Sequence, residues 1–111
     1  MSLLDLFRTS AEKELAHSLA EHIAKNIPPK LLDQKRQLLS ANKISRTLEQ
    51  AYARAKDHQK QVQMGFARRA IFANSFKWEL QSRGYPKDFV NLATEGLVVE
   101  LSRAGDTESS C

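Results

Sequence analysis

The stretch from Gly65 to Phe89, GFARRAIFANSFKWELQSRGYPKDF, holds six of the eight aromatic residues in this 111-residue chain. Read as a helix, it is apolar around most of its circumference. Phe66, Ala70, Ala73, Phe76 and Leu80 recur at helical steps on one face, and Ala67, Ile71 and Trp78 form a second. A helix apolar on two faces is packed from both sides, so the other elements are expected to gather around it. The sequence therefore predicts an all-α fold, a small bundle of four to five helices around a central aromatic-rich helix at about 64–83.

Punctuation supports the helical reading, because only four glycines and three prolines interrupt a chain dominated by Ala, Leu, Lys, Gln, Glu and Arg. Leu4, Phe7, Ala11, Leu15, Leu19, Ile23 and Ile27 trace a first amphipathic helix, with a possible break where Thr9 and Glu12 have capping-box spacing. Pro28-Pro29 ends it, since neither ring nitrogen can donate, and Pro29 suits the first turn of a short helix, Lys30 to Leu39. Ser40-Ala41-Asn42 reads as a turn. A third helix, Lys43 to Gln63, sets Ile44, Leu48, Ala51, Tyr52, Ala55 and Val62 on one face. Gly65 is expected to bend or break the chain before the aromatic helix. Gly84 fits a left-handed helix end, and Pro86 opens a last helix to about Arg103, in which Gly96 marks a close approach to a neighbour. Residues 1–103 form one expected domain, and residues 104–111 a flexible, disordered tail.

Charge is partitioned along the chain. Residues 1–21 carry a net −2, residues 22–87 a net +10 and residues 88–111 a net −4, within an overall +4. Either the acidic ends fold back on the basic middle and neutralise it, or the middle exposes a positive face to a polyanion. In the second case Lys43, Arg46, Arg54, Lys56, Lys60, Arg68 and Arg69 are the candidate nucleic-acid-binding residues, making phosphate contacts with little reading of bases. The aromatics are expected to be core. Trp78 and Tyr85, beside Lys77, Arg83 and Lys87, are the two candidates for base stacking or for an interface.

Signatures of chemistry are missing from the sequence. His17 and His22 are five residues apart and do not share a helix face, and Glu14-x-x-His17 has no second such pair, so all three histidines, His58 included, are expected as solvated surface groups with no metal. Cys111 ends the chain, where no scaffold would place a base beside it. No phosphate loop, zinc-finger spacing or nucleophile elbow is present. No enzyme and no cofactor are expected. The Phe76 to Leu97 segment has the element order of a helix-turn-helix, but Leu80 stands where that motif crosses on a small residue, and the second helix is acidic. Over four residues the Arg83-Gly84-Tyr85-Pro86 turn resembles one in helical repeats of RecX-like recombination regulators; the acidic segment that follows there is missing here, and no family is assigned.

The sequence thus predicts a non-enzymatic, basic, nucleic-acid-binding or regulatory protein. The alternative is a helical adaptor or oligomeric scaffold for an acidic protein partner. Five helices in so short a chain leave little to cover a helix apolar on two faces, which favours a homo-oligomer. Without a long apolar run or a basic leader, the expected setting is cytoplasmic with no membrane contact.

Overall fold

The computed structural model describes the backbone of residues 3–34 and 41–109 and the side chains of residues 10–30, 32 and 42–103. Within them the chain is all-helical, with no strand: α1 (Leu3–Asn26), α2 (Pro29–Gln34), α3 (Ala41–Val62), α4 (Phe66–Ser82) and α5 (Lys87–Ser109). No helix among the described residues is long and apolar enough to cross a membrane. The four long helices pack as α1 on α4, α4 on α5, α5 on α3 and α3 on α1, a closed ring with the core inside it.

α1 is continuous through Thr9 and Glu12, so the capping-box break does not occur. Its inner seam is Ala16, Leu19, Ala20 and Ile23, all fully buried, and Ile27 just beyond its end continues the seam. Pro28 terminates the backbone ladder, and Pro29 opens α2 as the sequence suggests. The expected continuation of that helix to Leu39, and the turn at Ser40, lie outside the described residues. α3 buries Leu48, Ala51 and Ala55 from one face, with Ile44 and Tyr52 partly covered.

The break before α4 comes two residues earlier than glycine chemistry suggests. Gln63, with φ 49°, takes the left-handed conformation, whereas Gly65 is extended and serves as the N-cap of α4. Met64 explains the placement: its side chain is buried, and the Gln59 side-chain amide donates to its carbonyl at 3.2 Å. Anchoring Met64 forces the reversal onto its predecessor.

α4 is not the centre of the bundle. It buries Phe72, Ala73, Phe76 and Leu80 on one face against α1 and α5, while Phe66 is 83% exposed and Trp78 63% exposed. A ring of four helices covers each member from two sides only, so Ala67 and Trp78 of the second apolar face meet solvent, Ile71 is half-buried, and Phe66 of the first face stands exposed at the start of the helix. Gly84 ends α4 in a paired cap: φ is 93°, its amide donates to the Gln81 carbonyl at 3.1 Å, and the Tyr85 amide reaches back to Leu80 at 3.3 Å. α5 then buries Phe89, Val90, Ala93, Leu97 and Leu101. Gly96 lies directly against the Tyr52 phenol, and any Cβ there would overlap it, while Tyr52 donates to the Ala93 carbonyl at 2.7 Å. α5 continues past Arg103, where the sequence reading ends it, to Ser109.

Candidate nucleic-acid interface

α3 supplies the basic residues because its apolar positions are confined to one arc, leaving Lys43, Arg46, Arg54 and Lys60 exposed on the other side. Arg54 reaches across to α1 and donates to the Ser18 hydroxyl at 2.6 Å, which holds its guanidinium on the α1–α3 surface. Lys56 is half-buried and pairs with Glu100 of α5 at 3.2 Å. The same face also carries the exposed acids Glu49 and Asp57.

At the end of the bundle where α1 finishes and α3 starts, a cavity of about 400 Å³ is lined by Asn26, Asn42, Lys43, Arg46, Thr47 and Gln50. The first two and a half turns of α3, about 3.6 residues each, build it. Residues 42, 43, 46, 47 and 50 share one face of α3, and Asn26 is fixed opposite by donating to the His22 carbonyl at 2.8 Å. His22 in turn meets the Gln50 side-chain oxygen at 3.0 Å, tying the two helices together beside the opening. The lining contains two cations, three amides and a hydroxyl, and no acid. Sequence reasoning found Lys43 and Arg46 but missed the amides; the signal was the run of polar residues at helical spacing from Asn42 to Gln50.

Two candidates are placed elsewhere. Arg68 turns inward: its Nε donates to Glu12 Oε1 at 3.1 Å and its Nη2 to Oε2 at 2.9 Å, and His58 Nε2 lies 2.5 Å from the same Oε2. Glu12 is fully buried, so this triad joins α1, α3 and α4 inside the protein and withdraws Arg68 from any phosphate. It also corrects the reading of His58 as a solvated surface group, since the imidazole packs edge-on to Phe72. Tyr85 is only 6% exposed and donates to the Ile27 carbonyl at 2.5 Å, so it offers no stacking platform. The cause is the Gly84 cap, which swings residue 85 back over the end of α4.

Arg69 is half-buried beside a groove between α4 and α5, and its Nε has no hydrogen-bond partner among the described residues. Trp78 stands on the surface, though Tyr85 does not accompany it. His17 is also surface-exposed and lies between two carboxylates, with Nδ1 3.0 Å from Glu79 and Nε2 3.1 Å from Glu21, and Arg83 reaches Glu79 at 3.3 Å. No group of three metal-ligating side chains occurs among the described residues.

Burial raises the Tyr52 phenol to about 12, with the Glu100 carboxylate adding to the effect. Burial also raises Tyr85 to about 12, against a smaller opposing pull from Arg83. Both phenols therefore act as neutral donors to backbone carbonyls and not as acids. No family model, curated protein or solved structure matches the chain.

Proposed function

We propose that the protein is a non-enzymatic, cytoplasmic nucleic-acid-binding protein that grips phosphates along α3, with Lys43, Arg46, Arg54 and Lys60 as the principal contacts. The observation that supports this reading most is the acid-free polar cavity holding Lys43 and Arg46, with Arg54 and Lys60 exposed further along α3. Amide side chains beside two cations suit a phosphodiester, whose oxygens accept hydrogen bonds as well as charge, while the Thr47 hydroxyl donates to the Lys43 carbonyl. With phosphates as the principal contacts, the expected binding is sequence-tolerant and regulatory by occupancy. Lys56 and Arg69 would contribute at the margin.

A fluorescence anisotropy titration on random duplex and single-stranded oligonucleotides, repeated across a salt series, tests this. Each phosphate contact should contribute roughly 0.7–0.9 to the log–log salt slope, so four contacts give a slope near −3. The triple variant Arg46→Ala, Arg54→Ala, Lys60→Ala should weaken binding by about 10–100-fold and leave the melting temperature in place, because all three side chains are exposed. Binding at low salt no tighter than that of a neutral control protein would overturn the reading.

The second reading, a helical adaptor for an acidic protein, rests on a different feature. Trp78 is large, exposed and away from the basic cavity, the pattern of an interface anchor. Trp78→Ala separates the two: as a stacking platform its loss costs about 1–3 kcal/mol of single-strand affinity, whereas as a protein anchor it leaves oligonucleotide binding unchanged.

A further inference from the structure

The groove between α4 and α5 combines apolar walls with one unmet donor. Phe66 and Ala70 of α4 and Val98 and Leu101 of α5 line it, together with Arg69 and Ser102, and its volume is about 190 Å³. Phe66 and Val98 are exposed at its sides, and Leu101 is buried at its base. Arg69 is half-buried, and its Nε–H is shielded from solvent with no acceptor among the described residues. A buried donor left in this state is costly. The nearest available acids are committed elsewhere: Glu12 to Arg68 and His58, and Glu100 to Lys56 and Arg103.

We infer that this groove binds a small aryl carboxylate, a singly charged planar head on a phenyl-sized body. The donor selects the head, because Nε and one Nη of a guanidinium form a side-on fork that matches the two oxygens of a carboxylate. One guanidinium compensates one charge, so a phosphate dianion would keep an unpaired charge against walls that are otherwise apolar. The walls select the body. Their residues span 66–70 on α4 and 98–102 on α5, a rise of about 6 Å on each helix. That length, in a volume below the roughly 300–1,000 Å³ of drug-sized sites, holds one ring and leaves no room for an extended acyl chain. Phe66, 83% exposed, offers an aromatic face for that ring. Glu95 is exposed one turn before Val98 and outside the lining, so it repels an anion from that end. The carboxylate therefore sits at Arg69 and Ser102, and the ring over Ala70 and Val98. The cations of α3 take no part in the groove, so this inference and the polyanion reading stand or fall separately.

Benzoate titrated into the full chain, followed by amide proton–nitrogen correlation NMR, tests the site. It should shift the amides of residues 66–70 and 98–102 saturably. Benzyl alcohol, the ring without the charge, and acetate, the charge without the ring, should each bind at least about tenfold more weakly. Arg69→Gln should weaken benzoate by a similar factor, and Arg69→Lys, which keeps the charge and loses the fork, should fall between it and wild type. Ala70→Leu fills the groove and should abolish saturation. Circular dichroism melting checks that each variant is folded. Arg69→Gln removes the unmet donor and should not lower the melting temperature; if it does, Ala70→Leu, at an exposed position, carries the test. No saturable shift up to the solubility of benzoate, equal binding of acetate, shifts confined to the cations of α3, or benzoate affinity unchanged in either folded variant overturns the inference.

Discussion

Glu12 shows how far one side chain can depart from its sequence role. A carboxylate with no solvent exposure requires compensating donors, and Arg68 and His58 supply them from two other helices. Arg68→Ala removes the two-pronged contact and leaves the buried charge with the imidazole alone, so unfolding in urea should show a loss of about 3 kcal/mol. Replacing all three residues by apolar side chains of similar volume should cost far less, because no orphaned charge remains. The two buried tyrosines carry a pH consequence with a definite sign. Their folded values near 12 exceed the ordinary 10, so the unfolded chain releases these protons first. The stability they contribute is intact below pH 10 and declines as pH rises from 10 to 12. Melting temperature against pH, with tyrosinate absorbance recorded alongside, checks this; tyrosines ionising near 10 in the folded protein would contradict it.

At the scale of elements, the packing of α3 on α5 turns on one fit. Gly96→Ala drives a methyl into the Tyr52 phenol, so the helices must separate or the ring must leave its hydrogen bond with Ala93. The expected cost is about 1–3 kcal/mol by chemical denaturation, and Tyr52→Ala in the same chain should remove most of that further penalty, a coupling that an independent pair would not show. This contact was legible in the sequence, as were the Gly84 cap and the buried arc of α3, because local stereochemistry or periodicity fixes each. The end of α3 was legible to within a residue, Gln63 against the observed Val62, but the residue that turns the chain was not: Gly65 drew the prediction, whereas Gln63 takes the left-handed conformation beside buried Met64, and burial is a tertiary fact. The central role read into α4 failed for a related reason. Trp78 is a large, largely apolar side chain, yet only the number of neighbouring helices determines whether a second face is covered.

For the molecule as a whole, the acidic ends fold back on the basic middle, but only onto part of it. Glu12 from the acidic start engages Arg68, and Glu100 from the acidic end engages Lys56, so part of the basic middle is neutralised from within. Lys43, Arg46, Arg54 and Lys60 remain exposed on α3, and the candidate interface shrinks to them. Sequence could list the cations but not sort them, since pairing depends on which helices become neighbours. The ring order has a further consequence for how the chain is made. α1 packs on α3 and α4 and is synthesised before both, and its partner α4 ends only at Ser82. Until that residue has cleared the ribosome, the α1 seam and the Glu12 carboxylate lack Arg68 and the Phe72–Phe76 face, and α1 carries an apolar stripe that α3 alone can cover while α4 is being made.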